Sequence, residues 1–293
     1  MTDGGQLRET WARIAAEPRP ARPWRDGSTF PWADPAFSER MLRLHLDQST
    51  HMASRTLPVV AAHVGWLEAR LDEAFGAGAP RRVLDVACGP GLYCHELARR
   101  GHRAWGCDVG PAALRHARAV AAGERLGCGF HFADLEDPRL PLPADIADLD
   151  AVTLWYGEVH AHPPGAMLAA LTALAGRLRP GGLMVLEYQP WDLHPHEDLQ
   201  EWRACDGSPF ADGPHFWLQS YHWDDASQSE INVHWIVDPA TGVAARYAQS
   251  GRAWRDEDLA ALCAAAGLGS GVFLPPITGV DARHEFAMLI SRR

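Results

Sequence analysis

The chain has 293 residues, of which 47% are hydrophobic and 22% charged, with a formal net charge of -10. That length suits one large core or two modest ones, and the acidic balance argues against nucleic acid as a partner. No apolar run reaches the ~18 residues that span a bilayer, and the N-terminus has no basic-then-apolar export signal, so a cytoplasmic, membrane-free protein is expected. The six cysteines (88, 94, 107, 128, 205 and 263) contain no C-x-x-C pair. They read as thiols of a reducing compartment, neither a disulfide framework nor a zinc site.

In chain order, Gln6 to Ala16 has helical spacing, and the proline-dense run PRPARPWRDGSTFPW after it predicts an extended strap. A helix is expected over Ser38 to Thr50. On it His45, Gln48 and His51 fall at i, i+3 and i+6, forming either a polar outer face or one turned toward a ligand. Leu57 to Phe75 is a second helix, with Pro58 at its start and Gly76 past its end.

Arg82 to Ala87 then reads as a buried strand, apolar except for Asp85. Ala87-Cys88-Gly89-Pro90-Gly91 is a tight turn of small residues, and Leu92 to Arg100 has the spacing of a helix. Strand, glycine turn and helix start together let a ligand approach the backbone closely. In a dinucleotide fingerprint G-x-G-x-x-G the backbone meets a pyrophosphate. Here Cys94 stands where the third glycine would be, and Asp85 lies under the loop. A carboxylate there is a poor neighbour for a diphosphate and a good one for an ammonium group. Asp108 closes a second strand from Arg103, near the ~20-residue spacing of an acid that accepts ribose hydroxyls.

Strands and helices keep alternating. A helix is expected over Pro111 to Ala122 and a strand over Gly129 to Ala133. A strand over Ile146 to Trp155, a helix over Met167 to Arg177 and a strand over Leu183 to Tyr188 follow. That alternation predicts a doubly wound parallel sheet, whose ligands bind outside the carboxyl ends of the strands. Past Tyr188 the pattern changes to three strands, Phe216 to Trp223, Glu230 to Val237 and Val243 to Gln249, read as an inserted antiparallel meander. A helix over Asp256 to Ala266 ends at Gly267, with strands over Val272 to Leu274 and His284 to Ile290 behind it.

The run RVLDVACGPGLY, the acid at Asp108, the acidic loop Asp134-Leu135-Glu136-Asp137 and the stretch Leu178-Arg179-Pro180-Gly181-Gly182 resemble the class I S-adenosylmethionine (SAM) dependent methyltransferases of bacterial small-molecule type. The resemblance implies a Rossmann-like seven-stranded α/β sheet with a helical lid and the inserted meander. It divides the chain into a strap and lid (1–79), a SAM-binding core (80–190), an inserted substrate-binding region (191–254) and a closing helix with two strands (255–293). It implies SAM as cofactor, S-adenosylhomocysteine as product and a small-molecule substrate, with a homodimer left open. Cofactor contacts are expected from Asp85, Ala87, Cys88, Gly89, Gly91, Asp108 and Val109. Asp134 and Leu135 are expected at the adenine, with Trp155 completing the set. Two departures stand out. Ala87 occupies a position where many relatives have glycine, and Trp155-Tyr156-Gly157-Glu158 replaces the N-P-P-Y tetrapeptide of base and glutamine N-methylating enzymes.

Methyl transfer is an in-line displacement, so the protein mainly positions and desolvates the nucleophile. A base is needed only where the acceptor must lose a proton. His160, titratable near neutrality, is the first candidate, Glu158 the second, and Tyr156 stands beside them. Each His could equally be a hydrogen-bonded loop residue. Tyr188, Trp191, His215 and Trp217 are expected at the substrate, where aromatic faces can seat an apolar or cationic group; packing around the meander is the other reading. His160-x-His162 and His194-x-His196-Glu197 lack the spacing of a metal site, so none is expected. Two further readings stay open: a SAM-fold enzyme that catalyses cyclisation or elimination without methyl transfer, and a non-catalytic nucleotide-binding protein.

Overall fold

The computed structural model describes residues 4–269, 271–277 and 286–293. The described chain separates into two compact units. The larger contains Trp32–His160, Pro164–Trp191 and the chain from Trp254; the smaller contains the chain to Pro31, Ala161–Pro163 and Asp192–Ala253.

The larger unit is built on a seven-stranded sheet of order β10-β11-β5-β4-β1-β2-β3. Its strands are β1 (Arg82–Val86), β2 (Arg103–Asp108), β3 (Cys128–Phe132), β4 (Leu149–Leu154), β5 (Leu178–Tyr188), β10 (Val272–Leu274) and β11 (Ala287–Arg292). The first five run parallel, while β11 lies antiparallel to β5, and β10 to β11. The doubly wound sheet expected from the alternation is present. Residues 284 and 285 of the last expected strand lie outside the described residues.

Alternate residues of the central strands serve opposite faces. Leu84, Val86, Val152, Leu154, Met184 and Leu186 join one apolar cluster with α6 (Pro164–Ala175) and α7 (Asp256–Ala265). Val83, Ala151 and Val185 join the other, with α3 (Leu57–Phe75), α4 (Leu92–Arg99) and α5 (Pro111–Glu124). Burial on both faces is why these strands are near-continuous apolar runs with no polar alternation.

The helix expected to reach Thr50 ends earlier. The helix α2 spans Pro35–Leu46, with Asp34 capping it through the Phe37 N–H at 2.8 Å. Asp47 Oδ1 accepts both the Ser49 N–H and its hydroxyl, a local turn that competes with helix continuation. Gln48 then accepts the Leu57 N–H at 2.8 Å, serving one of the open donors at the start of α3. The shared His45/Gln48/His51 face therefore does not form.

The smaller unit has a four-stranded antiparallel sheet, β6-β7-β8-β9. The strands are β6 (Leu199–Cys205), β7 (His215–Asp224), β8 (Ser229–Val237) and β9 (Ala244–Arg252). Three were expected and β6 was not. LQEWRAC mixes polar and apolar residues without a strict alternation and is exposed from Leu199 to Ala204, so it has no buried face to announce it. One sheet face packs Ile231, Val233, Trp235 and Val237 against Ala21 and Ile14. Ile14 belongs to α1 (Gly4–Ala15), and Glu17, just before the strap, accepts from Trp235 Nε1 and from both Nε and Nη2 of Arg246. No helix among the described residues is long and apolar enough to cross a membrane.

Candidate active site

In the larger unit β2 lies on one side of β1 and β4 on the other, so the chain reverses its winding direction between β1 and β4. The crevice outside the carboxyl ends of strands at such a switch point is where open α/β sheets bind ligands. Asp85, Asp108, Thr153 and the glycine turn all sit there.

The turn needs its small residues. Gly91 has φ +81°, and a Cβ on it would lie 2.5 Å from the Phe130 ring. Gly89 has φ +52°, and a Cβ there would meet the His45 imidazole at 3.3 Å. His45, at the end of α2, thus lies over the glycine turn, its Nδ1 2.8 Å from Ser54 Oγ. Burial lowers its pKa to about 4. Ala87 also adopts the left-handed conformation, φ +54°, where a Cβ costs about 1 kcal/mol.

The two carboxylates differ. Asp108 ties the loops together, accepting the Gly89 N–H through Oδ2 at 2.8 Å and the Gly110 N–H through Oδ1 at 2.6 Å. Burial raises its pKa to about 6 against those two donors, with the charge of Glu158 adding to the rise. Asp85 is buried in mid-sheet. Its Oδ1 accepts from Thr153 Oγ1 at 3.0 Å, while Oδ2 is buried with no hydrogen-bond partner. Burial raises the pKa of Asp85 to about 8, opposed by the Thr153 hydroxyl. A carboxylate oxygen left unsatisfied in a dry crevice fits a cationic ligand group.

Beyond β4, Trp155 stacks on Tyr93 with ring centroids 4.8 Å apart and planes 9° apart, and Tyr93 Oη lies 3.0 Å from His63 Nδ1. Tyr156 has φ +60°, an uncommon backbone conformation that often marks functional positions. Its N–H donates to Glu187 Oε2, and its hydroxyl to the carbonyl of His51. Arg55 reaches Glu187 Oε1 at 2.6 Å in a fully buried ion pair and lies over the rings of Tyr156 and Phe286. The segment after α2 is therefore tied to the ends of β4 and β5. Arg55, Glu187, Thr153, His63 and Tyr93 were not singled out in the sequence. A polar residue inside each apolar strand, as at Thr153 and Glu187, is the signal that marks two of them.

Glu158 and His160 form one 3-10 turn after β4. His160 is buried, and its Nε2 accepts the Gln189 N–H at 2.9 Å. Cys88 is buried and Val109 half-buried at the crevice; Leu135 is buried and Asp134 exposed, with Oδ1 accepting the Glu136 N–H. Tyr188 is buried, donates to Asp256 Oδ1 at 2.9 Å and has its phenol pKa raised by burial and that carboxylate. Trp191 lies beneath the Arg255 guanidinium at 3.9 Å.

His215 and Trp217 belong to the smaller unit. His215 Nδ1 lies 2.7 Å from the Gly213 carbonyl. Trp217 donates to His234 Nδ1 at 3.0 Å, within an aromatic group that includes Phe210 and, through it, Tyr247 and Phe30. No group of three or more potential metal ligands occurs among the described residues.

In its sheet order and its glycine turn after β1, the larger unit resembles the fold of the class I SAM-dependent methyltransferases. Residues 83–182 match the family described as a methyltransferase domain. Among curated relatives, the chain is 32% identical over 116 residues to a ubiquinone biosynthesis O-methyltransferase of Acinetobacter baylyi, covering 38% of this chain and 45% of the relative. It is 37% identical over 129 residues to a demethylmenaquinone methyltransferase of Deinococcus radiodurans, covering 43% and 50%. The chain thus spans about half the length of these relatives. Among solved structures, the fold is shared with the CcbJ methyltransferase of Streptomyces caelestis (TM-score 0.64, 16% identity, 87% of this chain and 97% of that one). It is shared also with a SAM-bound amino pentose methyltransferase of Micromonospora echinaspora (TM-score 0.56, 19% identity, 80% and 91%).

Proposed function

We propose that this chain transfers a methyl group from SAM to a small metabolite. The observation that carries the reading is the buried, unsatisfied Asp85 oxygen beside a glycine turn that Asp108 holds in place. In this reading Asp85 meets the ammonium end of the cofactor and Asp108 the ribose. Ala87, Cys88, Gly89, Gly91 and Val109 form the crevice floor and wall, Asp134 and Leu135 meet the adenine, and Trp155 closes the far side. The cofactor supplies a methyl group already activated on a sulfonium, so the protein's part is to orient and desolvate the acceptor.

In the same reading Glu158, His160 and Tyr156, in the loop after β4, serve that task. Because a main-chain N–H occupies His160 Nε2, the imidazole holds Gln189 and the start of the post-β5 segment in position. Glu158 is then the better group to receive a proton from a hydroxyl or ammonium acceptor. In the larger unit Tyr188 and Trp191 remain the proposed substrate contacts; His215 and Trp217 belong to the smaller unit. The sugar N-methyltransferase of Streptoalloteichus, of similar fold at TM-score 0.54, makes amino sugars one acceptor class to try first, with phenols as the other.

Titration calorimetry with SAM tests the cofactor assignment directly: micromolar binding in the wild type, strongly weakened in Asp85→Asn. Absence of binding to the wild type overturns it. Release of S-adenosylhomocysteine with an amino-sugar or phenol panel, lost in Glu158→Gln with SAM affinity kept, tests the proton-transfer role.

A further inference from the structure

The smaller unit treats its two sheet edges differently. At β9 the strap covers the edge: Ser250 N–H donates to the Ser28 carbonyl at 2.9 Å, and Trp24 N–H to Ser250 Oγ at 2.8 Å. Gly27 runs so close to Ala248 that a Cβ would stand 2.3 Å from its side chain. At the opposite edge β6 pairs only with β7, and no main-chain partner lies on its outer side among the described residues. Every residue from Leu199 to Ala204 is exposed.

An uncovered edge strand is a template for another strand, and proteins usually blunt it with charge, proline or a bulge. β6 has no proline, and its charges are arranged unusually. Glu201 and Arg203 flank Trp202 on one sheet face, while Trp202, 71% exposed, projects to the other beside Phe216. Trp202 is the middle residue of the seven-residue strand. On its side lies an apolar groove of about 430 Å³, lined by Leu7, Trp11, Ile14, Trp202, Phe216 and Leu218.

We infer that β6 is a self-association edge whose occupant is β6 of a second copy of this chain, paired antiparallel about a two-fold axis through Trp202. The register follows from the sequence alone. Centring the pair on Trp202 sets Glu201 opposite Arg203 of the second copy, and Arg203 opposite its Glu201. Gln200 faces Ala204, Leu199 faces Cys205, and the two Trp202 rings meet on the groove side. Opposite charges directly across an antiparallel pair stabilise it, and like charges there oppose it.

The same two residues reject the competing arrangements. A parallel in-register pair would bring Glu201 against Glu201 and Arg203 against Arg203, so like charges oppose it. The two-fold arrangement closes on itself, because the same patch serves both copies. Arg203, with its guanidinium 3.8 Å over the Trp217 ring, is already held on the face where its partner would arrive. It is only 3.9 Å from Glu201 of its own strand, leaving both half-exposed for a second partner. The inference does not depend on the methyl-transfer reading, since all its residues belong to the smaller unit.

Charge reversal with rescue tests the register. Sedimentation velocity or light scattering on the full chain at micromolar concentration is expected to give twice the 32.1 kDa chain mass. Glu201→Arg alone, and Arg203→Glu alone, each create two like-charge pairs across the axis. Each is expected to raise the dimer dissociation constant at least tenfold. The double reversal E201R/R203E restores the alternation and should restore the dimer. Circular dichroism melts of all four proteins show whether each variant folds, and the rescue distinguishes lost pairing from lost folding. A monomeric wild type overturns the inference. So does a dimer indifferent to both single reversals, or dissociation that the double reversal does not repair.

Discussion

The two sheets of this molecule solve the same burial problem in opposite ways. The seven-stranded sheet is covered on both faces, and among its few polar side chains Asp85, Asp108, Thr153 and Glu187 lie toward the carboxyl ends of the central strands. The four-stranded sheet puts His222, Trp217, Gln219 and Glu230 among its strand residues and leaves Trp202 and Phe216 exposed. A polar group inside the first sheet is costly and points to a ligand; in the second it is ordinary surface or pairing chemistry. All the strands inside the methyltransferase-domain match of residues 83–182 belong to the first.

The sharpest way to break that contrast is at Asp85. Its folded pKa is raised to about 8, against about 3.9 unfolded. Between those values the folded chain holds a proton that the unfolded chain has released. The stability this proton contributes is complete below about pH 4 and is lost as pH rises through about 8. Asp85→Asn should therefore stabilise the cofactor-free protein by up to about 5 kcal/mol above pH 8, with the gap closing toward pH 4 in denaturant titrations. The same variant should lose SAM affinity. A variant no more stable than the wild type at high pH would show that Asp85 is not strained by burial.

Next comes Arg55→Ala, which leaves the Glu187 carboxylate buried without its cation and should destabilise the fold by about 3–5 kcal/mol. Adding Glu187→Gln should recover part of the loss in urea unfolding. Asp108→Ala should weaken SAM binding by about 1–3 kcal/mol, the cost of charge-assisted hydrogen bonds; unchanged affinity by calorimetry would count against the ribose assignment. In the other sheet Glu17→Ala removes the carboxylate shared by Arg246 and Trp235 and should cost about 1–3 kcal/mol of stability, without lowering SAM affinity. Smallest of all, Ala87→Gly relieves a left-handed alanine and should change stability by no more than about 1 kcal/mol.

What could be read from the residues follows the same division. A strand buried on both faces is a continuous apolar run, and a turn that crowds Phe130 must be glycine, so β1, the turn and α4 were legible. So was α3, bracketed by Pro58 and Gly76. The Arg55–Glu187 pair was not, because its partners are 132 positions apart and nothing local to either points to the other. β6 escaped because its register is set by β7 and not by a buried face of its own. The end of α2 was misjudged because Asp47 can satisfy the Ser49 backbone by itself, a competition that apolar spacing does not register. The main-chain bond to His160 Nε2 was equally invisible: a histidine after a strand looks the same whether it serves chemistry or the backbone.

His45, lying over Gly89, has one more consequence. Because its imidazole becomes cationic only near pH 4, whatever settles on the glycine turn has an electrically silent ceiling across the whole physiological range. A positively charged guest is neither repelled nor recruited from above. Its discrimination from neutral mimics is left to the carboxylates below, and acid weakening of binding should track their protonation well before the ceiling acquires charge.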